Sequence, residues 1–304
     1  MSVELRHLRA FVAVAEELNF TRAAERLHIA QQALSSQIRQ LEERVGEQLL
    51  DRTTRKVELT PAGQALLEHA RTVLGGADRA VAAARAAGEG TPILTVGLVV
   101  PVDHEPLRPA LALYAERRPD VEVRVHFGEV MDPSGGLREG HADVAVVVGA
   151  FDSTGLDMLP LWTDPRGVAM AAGHLLATQP ELTIAELVEQ PTFDFPAPDA
   201  VFRDYWMATN HRNGRPPKIV AQFRSLDGLV EAVRAGLGVN LIRERIVDTF
   251  GSASGVVFRP VRDLEPAEIS VAWATGDQRE LVADFVDAAR DAFSGELSAP
   301  TQSL

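Results

Sequence analysis

Residues 19–46, NFTRAAERLHIAQQALSSQIRQLEERVG, read as two short helices joined by a tight turn. The first of these helices has Thr21 as its expected N-cap, and the turn comprises residues 28–30. Glycine readily adopts the left-handed conformation that ends a helix, so the second helix is expected to stop at Gly46. Its apolar side chains recur at helical spacing and form one stripe, consisting of Leu34, Ile38, Leu41 and Val45.

The other face of this second helix is rich in amide and hydroxyl groups. An ordinary surface helix mixes Lys and Glu for solubility, whereas this face and its edges contain Gln31, Gln32, Ser35, Ser36 and Arg39. Glutamine is suited to adenine edges and arginine to guanine edges, so the pattern predicts a recognition helix in the major groove of DNA. The alternative is a three-helix bundle whose polar face is merely solvated.

Elements on both sides complete the predicted winged helix-turn-helix. The apolar stripe of residues 5–18 predicts a preceding helix. Residues 47–60, EQLLDRTTRKVELT, offer two short strands around a basic tip, which is typical of a wing. The wing residues Arg52, Arg55 and Lys56 are expected to meet phosphates or a minor groove, which positions a protein on DNA without specifying its sequence. Thr21 is also an expected DNA contact.

A long helix is predicted to begin at Thr60 and Pro61, because proline at the first helical position loses no hydrogen bond. It is expected to end near Gly88 and Gly90. Its broad apolar face needs a partner helix, so we interpret it as a linker and dimerisation helix. The residues of that face are Leu66, Leu67, Ala70, Val73, Leu74, Ala77, Val81 and Ala84.

Composition and charge restrict the class of protein. The 304 residues are 46% hydrophobic and 24% charged, which is typical of a soluble globular chain with two or three cores. The absence of cysteine excludes disulfides and Cys-based metal sites. Neither a signal-peptide pattern nor an apolar run of about 18 residues is present, so the expected location is the cytoplasm.

The formal net charge of -13 is unevenly distributed along the chain. Residues 1–60 contain nine basic and nine acidic side chains, and the remainder carries the whole acidic excess. Because an acidic body repels phosphate, DNA contact is expected to be confined to the N-terminal part.

From Thr91 onward, short β-rich runs alternate with helical patterns. Near-continuous apolar strands separated by helices indicate a buried parallel sheet. Strands are predicted at 93–99, 121–127 and 143–149, and helices at 106–117 and 133–139. A second set of strands and helices occupies residues 166–242, and residues 268–293 return the chain toward the first sheet. The pattern therefore predicts two α/β lobes joined by two crossings.

The stretch AERLHIAQQALSSQIRQLEERVGEQLLDRTTRKVELTPAG, from Ala24 to Gly63, resembles the N-terminal signature of the LysR-type transcriptional regulators. The resemblance implies a winged helix-turn-helix DNA-binding domain at 1–60, a linker and dimerisation helix at 61–90, and a two-lobed α/β effector-binding domain, similar to periplasmic solute receptors, at 91–304. The first lobe is expected at about 91–160 and 268–295, and the second at about 161–267. Three positions depart from the family pattern: Ala30, Gln32 and Leu50 stand where Ser, Pro and Phe are common.

The resemblance also implies a regulator and not an enzyme, with no cofactor. The eight histidines are scattered, with neither an HExxH motif nor a paired spacing, so no metal site is expected. Its expected partners are double-stranded DNA, a small-molecule effector, a second copy in a dimer and further copies in a tetramer, and RNA polymerase if it activates. The effector would shift the arrangement of the oligomer on DNA. A solute-binding transport protein would leave residues 1–60 without a purpose, and an α/β enzyme would need a catalytic constellation that the sequence lacks.

The effector site implied by the family lies at the ends of the first strands and across the cleft. Relatives that bind small carboxylates often place Ser or Thr where this chain has Pro101 and Glu129. The Asp103 and Glu129 carboxylates would repel an anion, so a neutral or cationic, partly hydrophobic effector is expected. Two alternatives stay open: Asp103 caps the next helix while Glu129 faces solvent, or Arg203 supplies a cation. The other expected site residues are Val100, Val102, Gly128, Phe195, Pro196 and Phe202.

Overall fold

The computed structural model describes residues 3–52, 57–99, 107–128, 131–195, 197, 199–223, 225–249 and 255–294. The chain forms two compact units, each with a hydrophobic core of its own. The first comprises Met1–Gly90 and Arg138–His141, and the second comprises Thr91–Leu137 and Ala142–Leu304. No helix in the described ranges combines the length and the apolar character that crossing a membrane requires.

The first unit is a winged helix-turn-helix followed by a long helix, as predicted. Its core includes Phe11, Ala23 and Leu34, which are completely shielded from solvent. The two wing strands are antiparallel, with Leu50 opposite Leu59. The elements are α1 (Leu5–Glu17), α2 (Phe20–Arg26), α3 (Gln31–Val45), β1 (Leu50–Arg52), β2 (Val57–Leu59) and α4 (Pro61–Glu89).

One local prediction for this unit is wrong. Asn19, and not Thr21, caps α2: its Oδ1 accepts hydrogen bonds from the backbone N–H groups of Thr21 at 2.9 Å and Arg22 at 3.1 Å. Asn19 directly precedes the helix, so its short side chain reaches the first turn, whereas Thr21 already lies within that turn. Val45 is 38% exposed because it is the last residue of α3, before Gly46 takes a φ of 82°.

The second unit alternates strands and helices along most of its length. Its elements are β3 (Ile93–Val99), α5 (Arg108–Arg117), β4 (Glu122–Gly128), β5 (Val144–Val148), β6 (Leu156–Asp164), β7 (Arg166–Ala171), α6 (Ile184–Leu187), β8 (Pro191–Asp194), α7 (Ala200–Met207), β9 (Lys218–Gln222), α8 (Leu226–Arg234), β10 (Asn240–Arg243), α9 (Glu244–Thr249), β11 (Val256–Pro260), β12 (Ala267–Ala274) and α10 (Glu280–Phe293).

These strands form separate sheets, which correspond to two lobes. The first sheet has the order β4-β3-β5-β12-β6, and its β3 runs parallel to β4 and β5, as predicted. The late strand β12 enters antiparallel between β5 and β6, so the end of the chain returns to the first lobe. In the second lobe, the sheet β10-β7-β11 is antiparallel, and β8 pairs in parallel with β9.

The helix predicted at 133–139 is wrong, because this segment forms turns. The Asp132 carboxylate accepts hydrogen bonds from the backbone N–H groups of Ser134 at 2.9 Å and Gly136 at 2.5 Å. Gly135 and Gly136 adopt φ values of 61° and 86°, which a right-handed helix excludes. Local side-chain hydrogen bonds and the glycine pair therefore outweigh the helical pattern of the sequence.

Candidate DNA-reading face and effector cavity

The helix α3 separates an apolar side from a polar side. Leu34, Ile38 and Leu41 are completely buried against α1 and α2. The predicted polar positions lie on the accessible side: four are exposed and Ser35 is half-buried. We refer to these residues, Gln31, Gln32, Ser35, Ser36 and Arg39, together with Thr21 of α2, as the reading face.

A contact between helices orients the first residue of the reading face. The Thr21 hydroxyl donates a hydrogen bond to Gln31 Oε1 over 3.4 Å. Asn19 caps α2, so the Thr21 side chain is available for this contact. Because the amide oxygen of Gln31 accepts from Thr21, its amide nitrogen is the group that remains to donate to another molecule.

The arginines of the helix-turn-helix differ in their electrostatic surroundings. Arg22 is paired with Glu17 at 3.3 Å, and Arg26 with Glu16 at 2.6 Å. Arg39 is exposed and forms no ion pair with any residue that the structure describes. Its charge is therefore available to an anionic or hydrogen-bond-accepting partner.

The predicted wing contacts fall mostly beyond the described residues. Arg52 is the last residue of β1, and its backbone pairs with Val57. The Arg52 side chain and the whole of Arg55 and Lys56 lie outside the described part of the chain. Their expected phosphate contacts stay predictions.

In the second unit, the predicted effector residues begin where two parallel strands end. Val99 of β3 and Gly128 of β4 are direct partners in the sheet register. The structure thus brings the ends of the first two strands together, as the family pattern implies. The described residues do not include Val100, Pro101, Val102, Asp103, Glu129 or Pro196.

Beside these strand ends lies a cavity of about 90 Å³. The predicted residues Phe195 and Phe202 both line it, with ring centroids 5.6 Å apart in an edge-to-face arrangement. The walls are otherwise apolar, apart from two polar side chains of β10. The lining residues are Val99, Val148, Phe195, Phe202, Trp206, Phe223, Leu226, Leu229, Asn240, Leu241, Ile242, Arg243 and Ile246.

Arg203, the predicted alternative cation, does not line this cavity. Its guanidinium holds the Asp194 carboxylate with two hydrogen bonds of 2.8 and 2.9 Å. Burial is the largest single effect and would raise the pKa of Asp194, but the hydrogen bonds and charge of Arg203, together with hydrogen bonds from Gln222 and the backbone of Phe195, hold that pKa below its usual value. The charge of Arg203 is therefore compensated within the protein.

Arg243 brings a second guanidinium to the cavity wall. It is 1% exposed, and its Nη1 lies 3.1 Å from Oδ2 of Asp164, which is also 1% exposed. Burial raises the pKa of Asp164 even though Arg243 acts in the opposite direction. The guanidinium that Arg243 brings to the wall thus has a buried carboxylate partner.

Comparison with known proteins decides the family. Residues 5–64 match the model of the bacterial regulatory helix-turn-helix protein of the lysR family, and residues 87–294 match the LysR substrate binding domain. The chain belongs to the LysR family of bacterial transcriptional regulators. It is therefore a DNA-binding transcriptional regulator with an effector-binding domain, and not an enzyme.

Full-length relatives agree with this assignment. The chain is 35% identical to the Hca operon transcriptional activator HcaR of Escherichia coli (strain K12) over 292 residues, covering 93% of this chain and 96% of that one. It is 30% identical to the HTH-type transcriptional regulator AlsR of Bacillus subtilis (strain 168), covering 93% and 94%. The crystal structure of full-length BenM matches with a TM-score of 0.54 and 25% identity, covering 96% of this chain and 97% of that one.

Several cavity residues of this LysR regulator were not predicted from its sequence. Trp206 lies on α7, and Phe223 directly follows β9. Asn240 and Arg243 belong to β10, where two polar residues flank Leu241 and Ile242. Polar side chains within a short buried strand were the available signal, because burying them requires partners.

Proposed function

We propose that this LysR regulator reads its operator with the reading face of α3, while Arg52, Arg55 and Lys56 of the wing bind phosphates. One observation carries the proposal: from Gln31 to Arg39, the accessible side of α3 is uncharged except for Arg39, which has no ion pair among the described residues. Amide, hydroxyl and guanidinium groups match base edges in the major groove.

Selection of duplexes from random-sequence DNA by the full-length protein, followed by shift assays at fixed salt, tests this proposal. Arg39→Ala should cost about 1 to 3 kcal/mol on the selected duplex if Arg39 reads a base. Arg55→Ala should weaken binding to the selected and the unrelated duplexes alike, because a phosphate contact carries no sequence information. Arg215→Ala, in the effector domain, is the control. Equal affinity of wild type and Arg39→Ala would remove Arg39 from the contacts.

The protein acts as a dimer through α4 in this proposal, and two dimers form a tetramer on DNA. Leu67 and Ala70 of α4 pack into the helix-turn-helix core, whereas Val73 and Val81 are 49% and 50% exposed. Exposed valines on a long helix suit a partner helix. Val81→Asp should shift the protein toward monomers in sedimentation velocity, whereas Leu175→Asp, at a 90% exposed site, should not.

The effector, we further propose, places an apolar portion in the cavity beside β3 and β10. Apolar walls favour such a group, and both nearby guanidiniums already have carboxylate partners. A neutral or cationic, partly hydrophobic effector fits these surroundings better than a simple anion. Its binding would shift the oligomer between arrangements on the promoter, and contact with RNA polymerase would follow if the protein activates.

Calorimetry of the full-length protein with a matched set of ring compounds tests the effector class. Benzyl alcohol and benzylamine should bind more tightly than benzoate, and succinate should not bind. Leu229→Trp should abolish binding by filling the cavity, whereas Leu175→Trp should leave it unchanged. Tight binding of benzoate or succinate that survives Arg203→Ala would overturn the proposed effector class.

The boundaries that accompany this proposal are 1–60 for the DNA-binding domain, 61–90 for the linker helix and 91–304 for the effector domain. Because the family acts on DNA, we place the protein in the cytoplasm. Limited proteolysis with mass spectrometry of the fragments tests the boundaries, and cell fractionation tests the location.

A further inference from the structure

A buried histidine of α1 contacts the back of the recognition helix. His7 is completely shielded from solvent, and its ring lies between Gln40 and Arg44, which are one turn apart on α3. His7 Nδ1 is 2.9 Å from Arg44 Nη1, and His7 Nε2 is 3.2 Å from Gln40 Oε1. The backbone nitrogen of Glu4 also approaches Nδ1, at 3.4 Å.

The neighbours of Nδ1 determine where the neutral ring carries its hydrogen. The guanidinium of Arg44 and the backbone N–H of Glu4 can only donate hydrogen bonds, so Nδ1 of His7 must accept them through its lone pair. A neutral imidazole then carries its hydrogen on Nε2. Nε2 therefore donates to Gln40, and the oxygen end of the Gln40 amide must face His7.

A further hydrogen bond, donated by Gln40, extends this path to the surface of α3. With its oxygen facing His7, the Gln40 amide directs its NH₂ group toward Ser36, and Gln40 Nε2 lies 3.5 Å from Ser36 Oγ. Ser36 thus accepts from Gln40. Its own hydroxyl hydrogen makes no hydrogen bond within the described residues, and the side chain is exposed on the reading face. The hydrogen of the Ser36 hydroxyl is available to an external acceptor.

We propose that His7 is a positioning residue for DNA recognition, which acts through Gln40 to present Ser36 as a hydrogen-bond donor toward DNA. The inference rests on the proposed contact between α3 and DNA. The complementary groups on DNA are acceptors, namely phosphate oxygens, N7 of either purine, O6 of guanine and O4 of thymine. The exocyclic amino groups of adenine and cytosine are donors and cannot accept the Ser36 hydroxyl hydrogen.

A double-mutant cycle in the full-length protein tests this inference. The probes are the duplex selected by the wild type and an unrelated duplex of equal length. Ser36→Ala should weaken binding of the selected duplex roughly three- to tenfold in the wild-type background. In a His7→Leu background, which removes the hydrogen bonds but keeps the site filled, Ser36→Ala should have little further effect.

Two controls separate positioning from a general loss of stability. Ser35→Ala, which lies outside this hydrogen-bond path, should have the same effect in both backgrounds. His7→Gln should restore the dependence on Ser36, because its amide oxygen can accept from Arg44 while its amide nitrogen donates to Gln40. If His7→Leu does not fold, Gln40→Met interrupts the same path at an exposed position and serves as the second background.

The outcomes show whether the acceptor is a base or a phosphate, and whether the role of His7 or the whole reading face is wrong. If Ser36→Ala lowers the affinity for the selected duplex alone, the acceptor is a base. If it lowers the affinity for both duplexes equally, the acceptor is a phosphate oxygen. Independent, additive effects of His7→Leu and Ser36→Ala would overturn the role of His7 while leaving the reading face intact. If Arg39→Ala and Ser36→Ala both left DNA binding unchanged, the reading face itself would be wrong, and the role of His7 with it.

Discussion

Asp194 and Arg203 form a two-point ion pair at the end of β8, with the Asp194 side chain 6% exposed and the Arg203 side chain 38% exposed. Gln222 adds a hydrogen bond to the same carboxylate at 3.3 Å. The pair connects the strand that leads to Phe195 with the helix that contains Phe202, so it holds two aromatic walls of the cavity in place. Its main role is therefore structural.

Arg203→Met should lower the free energy of unfolding at neutral pH by about 1 to 2 kcal/mol, since it leaves a buried carboxylate without its main partner and Arg203 is partly screened by water. The pKa of Asp194 is lower in the folded state, so the pair stabilises the fold above about pH 4 and loses this effect as the pH falls through that lowered value. Urea unfolding should give a larger difference between wild type and variant at neutral than at acid pH. Arg215→Met, whose pair with Glu189 is exposed, should show no such pH dependence.

The start of α2 gives a second prediction, because its two polar residues have different roles. Asn19→Ala should reduce the free energy of unfolding by about 1 kcal/mol through loss of the helix cap. Thr21→Ala should leave stability nearly unchanged but weaken DNA binding, since Thr21 orients Gln31 on the reading face. Thermal unfolding and shift assays on both variants distinguish the two roles. A larger stability loss for Thr21→Ala would contradict this assignment.

The sequence predicted the helix-turn-helix well because its signals are local. Leu34, Ile38 and Leu41 recur at helical spacing and are all buried, and α3 ends at Gly46, whose φ of 82° a glycine readily adopts. The cap of α2 was misassigned because Asn19 and Thr21 are both capping residues, and only the backbone geometry decides between them. His7 was not singled out, because its partners Gln40 and Arg44 lie more than thirty residues away in the chain.

The cavity was harder to predict than the fold. Its walls come from β3, β5, α7, α8, β10, α9 and the residues that follow β8 and β9, and no spacing within one segment indicates that these elements meet. Phe195 and Phe202 were found through the family resemblance, whereas Asn240 and Arg243 depend on long-range pairing. The ion pair of Asp164 with Arg243 joins residues 79 positions apart, which no local pattern could reveal.

The start of α3 offers a stabilising substitution. Ala30 occupies the N-cap with a φ of -67° and a ψ of 139°, and its side chain makes no capping hydrogen bond. Because this backbone conformation suits a capping hydroxyl, Ala30→Ser should raise the free energy of unfolding by about 1 kcal/mol. Ala33→Ser, within the same helix, should give no gain. Thermal unfolding measures both, and equal changes in the two variants would exclude capping as the cause.

Variants of the buried pair of Asp164 and Arg243 test the stability of the second unit and its ligand preference separately. Asp164→Asn would remove the buried carboxylate that pairs with Arg243, so it should cost about 3 to 5 kcal/mol of unfolding free energy. Replacing both residues, with Asp164→Leu and Arg243→Met, removes both charges and should recover most of that loss. Urea unfolding of the single and double variants measures the difference.

The double variant also tests whether the charge of Arg243 takes part in effector binding. If the effector contributes only an apolar portion to the cavity, benzyl alcohol should bind the double variant about as well as the wild type. Asn240 remains in the wall, and its amide can still contact a hydroxyl group. Asn240→Leu in the same background should therefore weaken the binding of benzyl alcohol but not that of toluene. Loss of benzyl alcohol binding in a folded double variant would show instead that the ion pair itself contacts the ligand.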